Sequence, residues 1–157
     1  MTRVLPLFIH RTLRGEPVTV YGADKVLDFT FVDDCVDGIA RGIEALAASR
    51  APNATINLAY GQGNTLVRAA ELIAAALGVD PRIETAPARL GEVRRYVADI
   101  RKARDLLEWE PRTPLEQGIP EAVAWFLEHR AAHPEEDRPV KSEGAGAGWK
   151  TLAVEPA

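Results

Sequence analysis

Two short groups of side chains have the types and spacing that catalysis or metal binding requires. Asp33 and Asp34 are adjacent carboxylates, which general acid–base chemistry could use as a pair. They also precede a run of helical periodicity, where a carboxylate commonly accepts the first free backbone N–H groups, and we expect that capping role instead. His129 and His133 are spaced for one helix face. They lack the glutamate of a zinc-binding helix motif between them and Pro134 follows, so we expect no metal site.

The elements that would position such side chains alternate between helices and strands. β-rich or alternating segments predict strands over residues 18–21, 26–32, 55–60 and 82–86. Apolar spacing predicts five helices: one over residues 4–14, one capped by Asp33 or Asp34, one from Thr65 to Gly78, one capped by Asp99, and one opened by the capping box Thr113-Pro114-Leu115-Glu116. The order favours an α/β fold. Strands this few and this short make a poor free-standing sheet. We therefore expect the chain to be part of a larger fold.

Two details of these helices carry expectations of their own. The helix after Asp34 has an apolar stripe, formed by Val36, Ile39, Ala40, Ile43 and Leu46. Pro120 falls inside the last helix, where a proline removes a backbone donor, so we expect a kink or a restart there.

Composition limits the classes of protein to which the chain can belong. The chain has 157 residues, 46% of them hydrophobic and 27% charged, which is typical of one soluble globular domain. The formal net charge of −4 gives no reason to expect nucleic-acid binding. Cys35 is the sole cysteine, which excludes an internal disulfide and a cysteine-based zinc site, and we expect it to be buried and inert.

The ends of the chain and its apolar runs lead to three further expectations. No apolar run approaches the roughly 20 residues of a membrane span. The N-terminus does not look like a signal peptide, so we expect a cytoplasmic protein that does not enter a membrane. Residues 1–130 form the expected domain. From residue 131 the periodicity fails, and we expect residues 131–157 to be a disordered tail.

Four segments follow one another with matching spacing. They are Arg3-Val4-Leu5-Pro6-Leu7-Phe8-Ile9, Val20-Tyr21-Gly22 with Asp28-Phe29-Thr30-Phe31-Val32-Asp33-Asp34, Ile56-Asn57-Leu58-Ala59-Tyr60-Gly61, and Arg89-Leu90-Gly91-Glu92 with Ala98-Asp99-Ile100-Arg101-Lys102-Ala103. The ordered set resembles the extended short-chain dehydrogenases that act on nucleotide sugars, the NAD-dependent epimerases and dehydratases related to UDP-glucose 4-epimerase. The resemblance covers residues 3–130. It implies the C-terminal substrate-binding portion of an extended Rossmann-type fold, with few short strands and several helices.

The resemblance also implies a site for a nucleoside diphosphate sugar. Tyr21 would stack on a uracil or thymine base, Arg89 would fork onto the diphosphate, and Glu92, where the family commonly has Asp, would accept hydrogen bonds from the ribose. On spacing alone, Tyr21 is equally an ordinary strand aromatic and Arg89 a solvated surface residue. One departure is Leu27, which stands where many members have a second diphosphate-binding arginine. Lys25 could replace that cation only if its loop bends it back.

The motifs of the family's N-terminal half are missing. Gly61-Gln62-Gly63 lacks the third glycine and the downstream acid of a dinucleotide-binding turn. Lys25 follows Tyr21 at the spacing of the family's catalytic Tyr-x-x-x-Lys pair, but Gly22 lies between strands, so the two would not share a helix face. We therefore expect no catalytic, cofactor-binding or metal-binding residues in this chain, and no binding of NAD, the cofactor of the intact family.

The resulting hypothesis is the nucleotide-sugar-binding part of an NAD-dependent epimerase or dehydratase, inactive alone. A separate chain carrying the NAD-binding half is a candidate partner. Two alternatives stay open: a non-catalytic module that binds nucleotide sugars or another subunit, and a truncated remnant.

Overall fold

The computed structural model describes residues 4–50 and 53–133, and this part of the chain is mixed α/β, as predicted. Its elements follow in the order α1 Val4–Leu13, β1 Val18–Tyr21, β2 Val26–Asp28, α2 Val32–Ala47, β3 Gly63–Thr65, α3 Leu66–Leu77, β4 Ile83–Ala86, β5 Arg95–Tyr96, α4 Arg101–Leu107 and α5 Leu115–Ala132.

The strands form two small sheets. β1 pairs in parallel with β4, with Val18 opposite Ile83 and Tyr21 opposite Ala86. β2 lies between β3, to which it is antiparallel, and β5, to which it is parallel. Because β1 and β4 run in the same direction, the loops that follow them leave from the same edge of their sheet. That edge carries the candidate site.

The larger core lies among α1, β1, α3 and α5. Its buried members include Phe8, Ile9, Val18, Val20, Ile73, Ile119 and Val123. Helix α3 is fixed at both ends as predicted. The Thr65 hydroxyl accepts a hydrogen bond from the Arg68 N–H at 3.1 Å, and Gly78 ends the helix with a φ of 69°.

A second, smaller core joins α2 to α4. It contains Ala45, Ala103, Leu107 and Trp109, with Ile56 and Leu58 packed against it. The Trp109 ring is buried, and its Nε1 donates a hydrogen bond to the Asp34 backbone carbonyl at 3.0 Å. Buried indole N–H groups need such a partner.

The predicted starts of three helices are wrong. Helix α2 begins at Val32 without a side-chain cap, and the Asp34 carboxylate instead accepts a hydrogen bond from the Thr113 N–H at 2.9 Å. Helix α4 begins after Ile100, so Asp99 lies outside the helix. The Asp99 carboxylate accepts a hydrogen bond from the N–H of Arg101, the first residue of α4. The capping box does not form, since Pro114 holds the cap position of α5 without a side-chain bond. Helix α5 also runs past Pro120 without restarting.

Two strand predictions are corrected as well. The strand expected over residues 26–32 ends at Asp28. The strand expected over residues 55–60 does not form in the described part of the chain. The Tyr60 N–H is held by the Asp28 carboxylate at 3.0 Å and by the Thr30 hydroxyl at 3.2 Å, so side chains and not a neighbouring strand take up this backbone donor. Further along the chain, Gly63 opens β3.

The apolar stripe of α2 faces away from both cores. Its large members are each more than half exposed: Val36, Ile39, Ile43 and Leu46. Cys35 is only partly buried, which corrects the prediction that it is buried. Among the described helices, none combines the length and apolarity needed to cross a membrane. Residues 131–132 belong to α5 and His133 caps its end, and the rest of the predicted disordered tail, residues 134–157, lies outside the described residues.

Candidate functional site

Tyr21 ends strand β1 at the edge from which the candidate site is built. The next residue, Gly22, donates its N–H to the Ala86 carbonyl at 2.8 Å, which extends the pairing of β1 with β4 by one bond. Gly22 has a φ of 73°, a conformation that glycine adopts without strain. The chain turns there, and the Lys25 N–H donates to the Gly22 carbonyl at 3.0 Å. Residues 22–25 and the loop 87–92 after β4 therefore lie side by side.

Arg89 reaches from that loop onto Tyr21. Its guanidinium carbon lies 4.1 Å from the centroid of the Tyr21 ring. A guanidinium over an aromatic face is attracted by the ring's quadrupole, by about 0.5–1 kcal/mol at exposed sites. Tyr21 is 38% exposed, so this contact lies at the surface of the molecule.

Glu92 joins the loop to the turn. Its Oε2 accepts a hydrogen bond from the Arg89 N–H at 3.2 Å and forms an ion pair with the Lys25 ammonium. The hydrogen bond from Lys25 lowers the pKa of the Glu92 carboxyl below its usual value. Lys25 is 5% exposed, whereas the Glu92 side chain is 37% exposed. The carboxylate is thus held at the rim of the site by a cation beneath it.

These four residues line one open cleft of about 500 Å³. Its other walls come from α1, from the strands β1 and β2, and from the start of α3, and they are largely apolar: Val4, Leu7, Phe8, Thr19, Leu27, Leu66 and Val93. Two cations face one carboxylate, so the charged rim has an excess of positive charge. An apolar cleft with a few convergent charged groups is the usual form of a small-molecule site.

The structure thus brings Tyr21, Arg89 and Glu92 together, and their roles in substrate binding stay predictions. It adds Lys25, whose loop does bend it back to the cleft. The sequence signal for this was Gly22, which lets the chain reverse between Tyr21 and Lys25.

Asp28 is a further residue that sequence reasoning passed over. Its carboxylate accepts hydrogen bonds from three backbone N–H groups, those of Tyr60, Gly61 and Ala98, at 3.0, 3.0 and 3.1 Å. It follows Leu27 of the cleft directly in β2. Asp28 therefore anchors the strand that forms one cleft wall to two distant segments.

The other candidates lie apart from this cleft. Asp34 is buried and bound to Thr113, whereas Asp33 is exposed on the first turn of α2, so the two do not form a carboxylate pair in one site. The rings of His129 and His133 stack at 4.4 Å between centroids. Within residues 4–50 and 53–133, no three His, Cys, Asp or Glu side chains gather as metal ligands.

The glycines of residues 61–63 are packed against side chains. A methyl group at Gly63 would lie 2.2 Å from Val26 Cγ1, and one at Gly61 would lie 3.1 Å from Ile100 Cδ1. A dinucleotide-binding turn needs its glycines open to a pyrophosphate at a helix N-terminus. Here the N-terminus of α3 is already capped by Thr65. This turn does not fit NAD.

Comparisons with known proteins agree on one family. The sequence profile described as GDP-mannose 4,6 dehydratase matches residues 1–122. UDP-glucuronic acid decarboxylase 1 of Danio rerio is 34% identical over 133 residues, which are 82% of this chain and 31% of that protein. The dTDP-glucose 4,6-dehydratase of Xanthomonas campestris is 35% identical over 136 residues, 80% of this chain and 38% of that protein. The chain therefore spans about a third of the length of these relatives.

Two solved structures show the same architecture. The UDP-glucose 4-epimerase of Thermotoga maritima, solved with UDP-glucose, superposes with a TM-score of 0.70 at 30% identity and covers 82% of this chain and 40% of its own. The epimerase of Methanothermobacter thermautotrophicus superposes with a TM-score of 0.71 at 26% identity, covering 85% of this chain and 40% of its own.

Proposed function

The chain belongs to the family of NAD-dependent epimerases and dehydratases, the extended short-chain dehydrogenases, and we propose that it supplies the part of such an enzyme that holds a nucleoside diphosphate sugar. The observation that carries the proposal is the convergence of Tyr21, Arg89, Lys25 and Glu92 on one apolar-walled cleft. A base, a diphosphate and a ribose need an aromatic face, cations and an acceptor, and the cleft offers all three.

When a diphosphate enters the cleft, the energies favour the exchange of one Arg89 contact, with the Tyr21 ring, for another, with phosphate. The guanidinium of Arg89 gains about 0.5–1 kcal/mol on the Tyr21 ring. A charge-assisted hydrogen bond to phosphate contributes roughly 1.5–3 kcal/mol. We therefore expect the guanidinium to leave the ring for the diphosphate, which frees that face of Tyr21 for a pyrimidine base. Phosphate binding and base stacking would then be coupled.

We assign the ribose hydroxyls to Glu92. Its carboxylate lies beside the two cations, and its side chain is exposed enough to meet a ligand. The covered parts of the cleft, lined by Phe8, Leu27 and Leu66, are apolar and take no further phosphate oxygens. Residues of this chain thus bind and orient the substrate. We expect no turnover from residues 1–157 alone, because the glycine turn at residues 61–63 does not fit NAD. Tyr21 and Lys25 line the cleft and do not form a catalytic pair on one helix face.

We infer that the exposed stripe of α2 packs against the NAD-binding part of the fold. That part would be supplied by the same polypeptide or by a separate chain. The stripe borders a second apolar depression, which is lined by Ile39, Leu46, Ile56, Leu58 and Leu107. Residues 55–60 lie beside it and pair with no strand in the described structure. Unpaired backbone next to an apolar surface can pair with a strand from another part of a protein. The relatives are longer by roughly two thirds of their own length, enough for the missing strands.

Calorimetric titration with UDP and dTDP tests the binding proposal. We expect both wild-type protein and Arg94→Ala to bind at least one of them, and Arg89→Ala to bind at least about tenfold more weakly, since 1.4 kcal/mol is a factor of ten. Arg94 is the matched control because it is exposed and pairs with Asp24 outside the cleft. Unchanged binding in Arg89→Ala would show that Arg89 does not bind the diphosphate. Saturable binding of NAD to the wild-type chain would contradict the proposal that this chain holds the substrate and not the cofactor.

A further inference from the structure

Lys25 is a buried cation whose stem is guided into the cleft by a glycine. A methyl group at Gly22 would lie 2.9 Å from Lys25 Cε and 3.2 Å from Lys25 Cγ. The lysine stem therefore packs directly over Gly22, back along the turn towards the loop 87–92. Any larger residue at position 22 would collide with this stem, so the stem would have to move. The position of the Lys25 side chain therefore depends on a glycine at position 22.

The ion pair with Glu92 satisfies this buried charge only in part. An ammonium has three N–H donors, and a cation removed from water needs compensating partners. Among the described residues, Glu92 is the acceptor that Lys25 has, and the same carboxylate oxygen also accepts the Arg89 N–H. Lys25 lines the cleft, so the other donors of its ammonium can meet a ligand there.

Strand β2, which forms one wall of the cleft, contributes no charged side chain to it. Leu27 is the cleft-lining residue of β2, and its side chain is apolar. Arg89 and Lys25 are consequently the two cations that line the cleft within the described residues, one at its surface and one beneath it. A diphosphate spreads its charge over two phosphoryl groups, each able to accept hydrogen bonds from its own cation.

We propose that Lys25 is the second cation of the diphosphate site, taking one phosphoryl group while Arg89 takes the other, and that the diphosphate displaces the Glu92 carboxylate from Lys25. The proposal rests on the nucleoside diphosphate function proposed above. In the empty cleft, Glu92 neutralises Lys25 and holds the Arg89 backbone. In the filled cleft, the released carboxylate is free to face the ribose.

Titration of UDP into Lys25 variants tests this inference. Lys25→Met should weaken UDP binding at least about tenfold, and Lys25→Arg, which keeps the charge, should weaken it less. Lys102→Met is the matched control, because Lys102 lies on α4 away from the cleft, and it should bind UDP as the wild type does. Circular dichroism melting of each variant reports its folding.

The double variant Lys25→Met/Leu27→Arg separates charge from structure. It returns a cation to the cleft from β2, so recovery of UDP binding supports the inference even where Lys25→Met alone fails to fold. A folded double variant without binding overturns it. A folded Lys25→Met that binds UDP like wild type, while Arg89→Ala has lost binding, also overturns it and leaves the proposed function intact. Wild-type protein that binds neither UDP nor dTDP overturns both.

Discussion

The guanidinium of Arg89 lies over the ring of Tyr21, 4.1 Å from its centroid, although the two residues are far apart in the sequence. The parallel pairing of β1 with β4 brings them to one edge, with Tyr21 opposite Ala86 and Arg89 three residues further on. The contact joins the residue expected to meet a base to the residue expected to meet a diphosphate.

Replacing Tyr21 should separate base recognition from phosphate recognition. Tyr21→Leu should weaken UDP binding by roughly 1–3 kcal/mol, the usual contribution of a base–aromatic stack. It should leave binding of inorganic pyrophosphate, which has no base, unchanged or tighter by up to about fivefold, because Arg89 no longer has to leave an aromatic ring. Tyr21→Phe keeps the ring and should bind UDP like wild type. Calorimetric titration measures both ligands. Tyr96→Leu, at an exposed ring outside the cleft, is the control. Equal losses for UDP and pyrophosphate would contradict the stacking role.

Glu92 should make folding stability depend on pH in a defined window. Lys25 lowers the pKa of this carboxyl below its usual 4.5. A carboxyl with a lower pKa in the folded state stabilises the fold above its unfolded pKa, and this stabilisation is lost as the pH falls through the folded value. The melting temperature of wild type should therefore exceed that of Glu92→Gln by a constant margin from pH 7 to about 4.5, and the margin should shrink below that.

The margin will be small, because the Glu92 side chain is partly exposed and solvent screens the pair. Melting curves from pH 7 to pH 3 measure it. Glu84→Gln serves as the control, since Glu84 is exposed on β4 away from Lys25. A margin that stays constant down to pH 3 would show that the Glu92 charge does not stabilise the fold.

Asp28 should contribute far more to stability than its neighbour Asp24. Asp28→Ala leaves the partly buried N–H groups of Gly61 and Ala98 without their acceptor, and it leaves the Tyr60 N–H with the Thr30 hydroxyl alone. An unsatisfied buried donor costs about 1–3 kcal/mol, so we expect a loss of at least about 2 kcal/mol. Asp24→Ala removes an exposed ion pair with Arg94 and should change stability by less than about 0.5 kcal/mol. Urea unfolding followed by circular dichroism compares the two. Similar losses in both variants would contradict the anchoring role of Asp28.

The apolar stripe of α2 should make the isolated chain self-associate or bind a dye that reports exposed apolar surface. Ile43→Lys places a charge in the middle of the stripe and should reduce both effects. Leu90→Lys is the matched control, since Leu90 is fully exposed on the loop after β4 and lies outside the stripe. Sedimentation over a concentration series gives the oligomeric state. A monodisperse wild-type monomer with a sharp melting transition and no dye binding would instead favour a stand-alone binding module.

What the sequence determined by itself was the local structure of helices α1 and α3 and the family. The periodicity of α1 and α3, the Thr65 cap and the Gly78 end depend on residues within one or two turns of each other, and all are confirmed. The motifs around Tyr21 and Arg89 pointed to the family, which the comparisons support. Spacing along a helix or strand is fixed by backbone geometry, so a sequence displays it directly.

Only the tertiary structure decided where the polar side chains and the unpaired surfaces go. Asp34 could have capped its own helix, but it accepts the N–H of Thr113, 79 residues away. Residues 55–60 have the composition of a strand, but Asp28 and Thr30 take up the Tyr60 N–H and no ladder forms in the described structure. Lys25 reaches Glu92 across 67 residues. Carboxylates, ammonium groups and backbone donors pair with whatever the fold brings within about 3 Å, and that proximity is a property of packing rather than of local sequence.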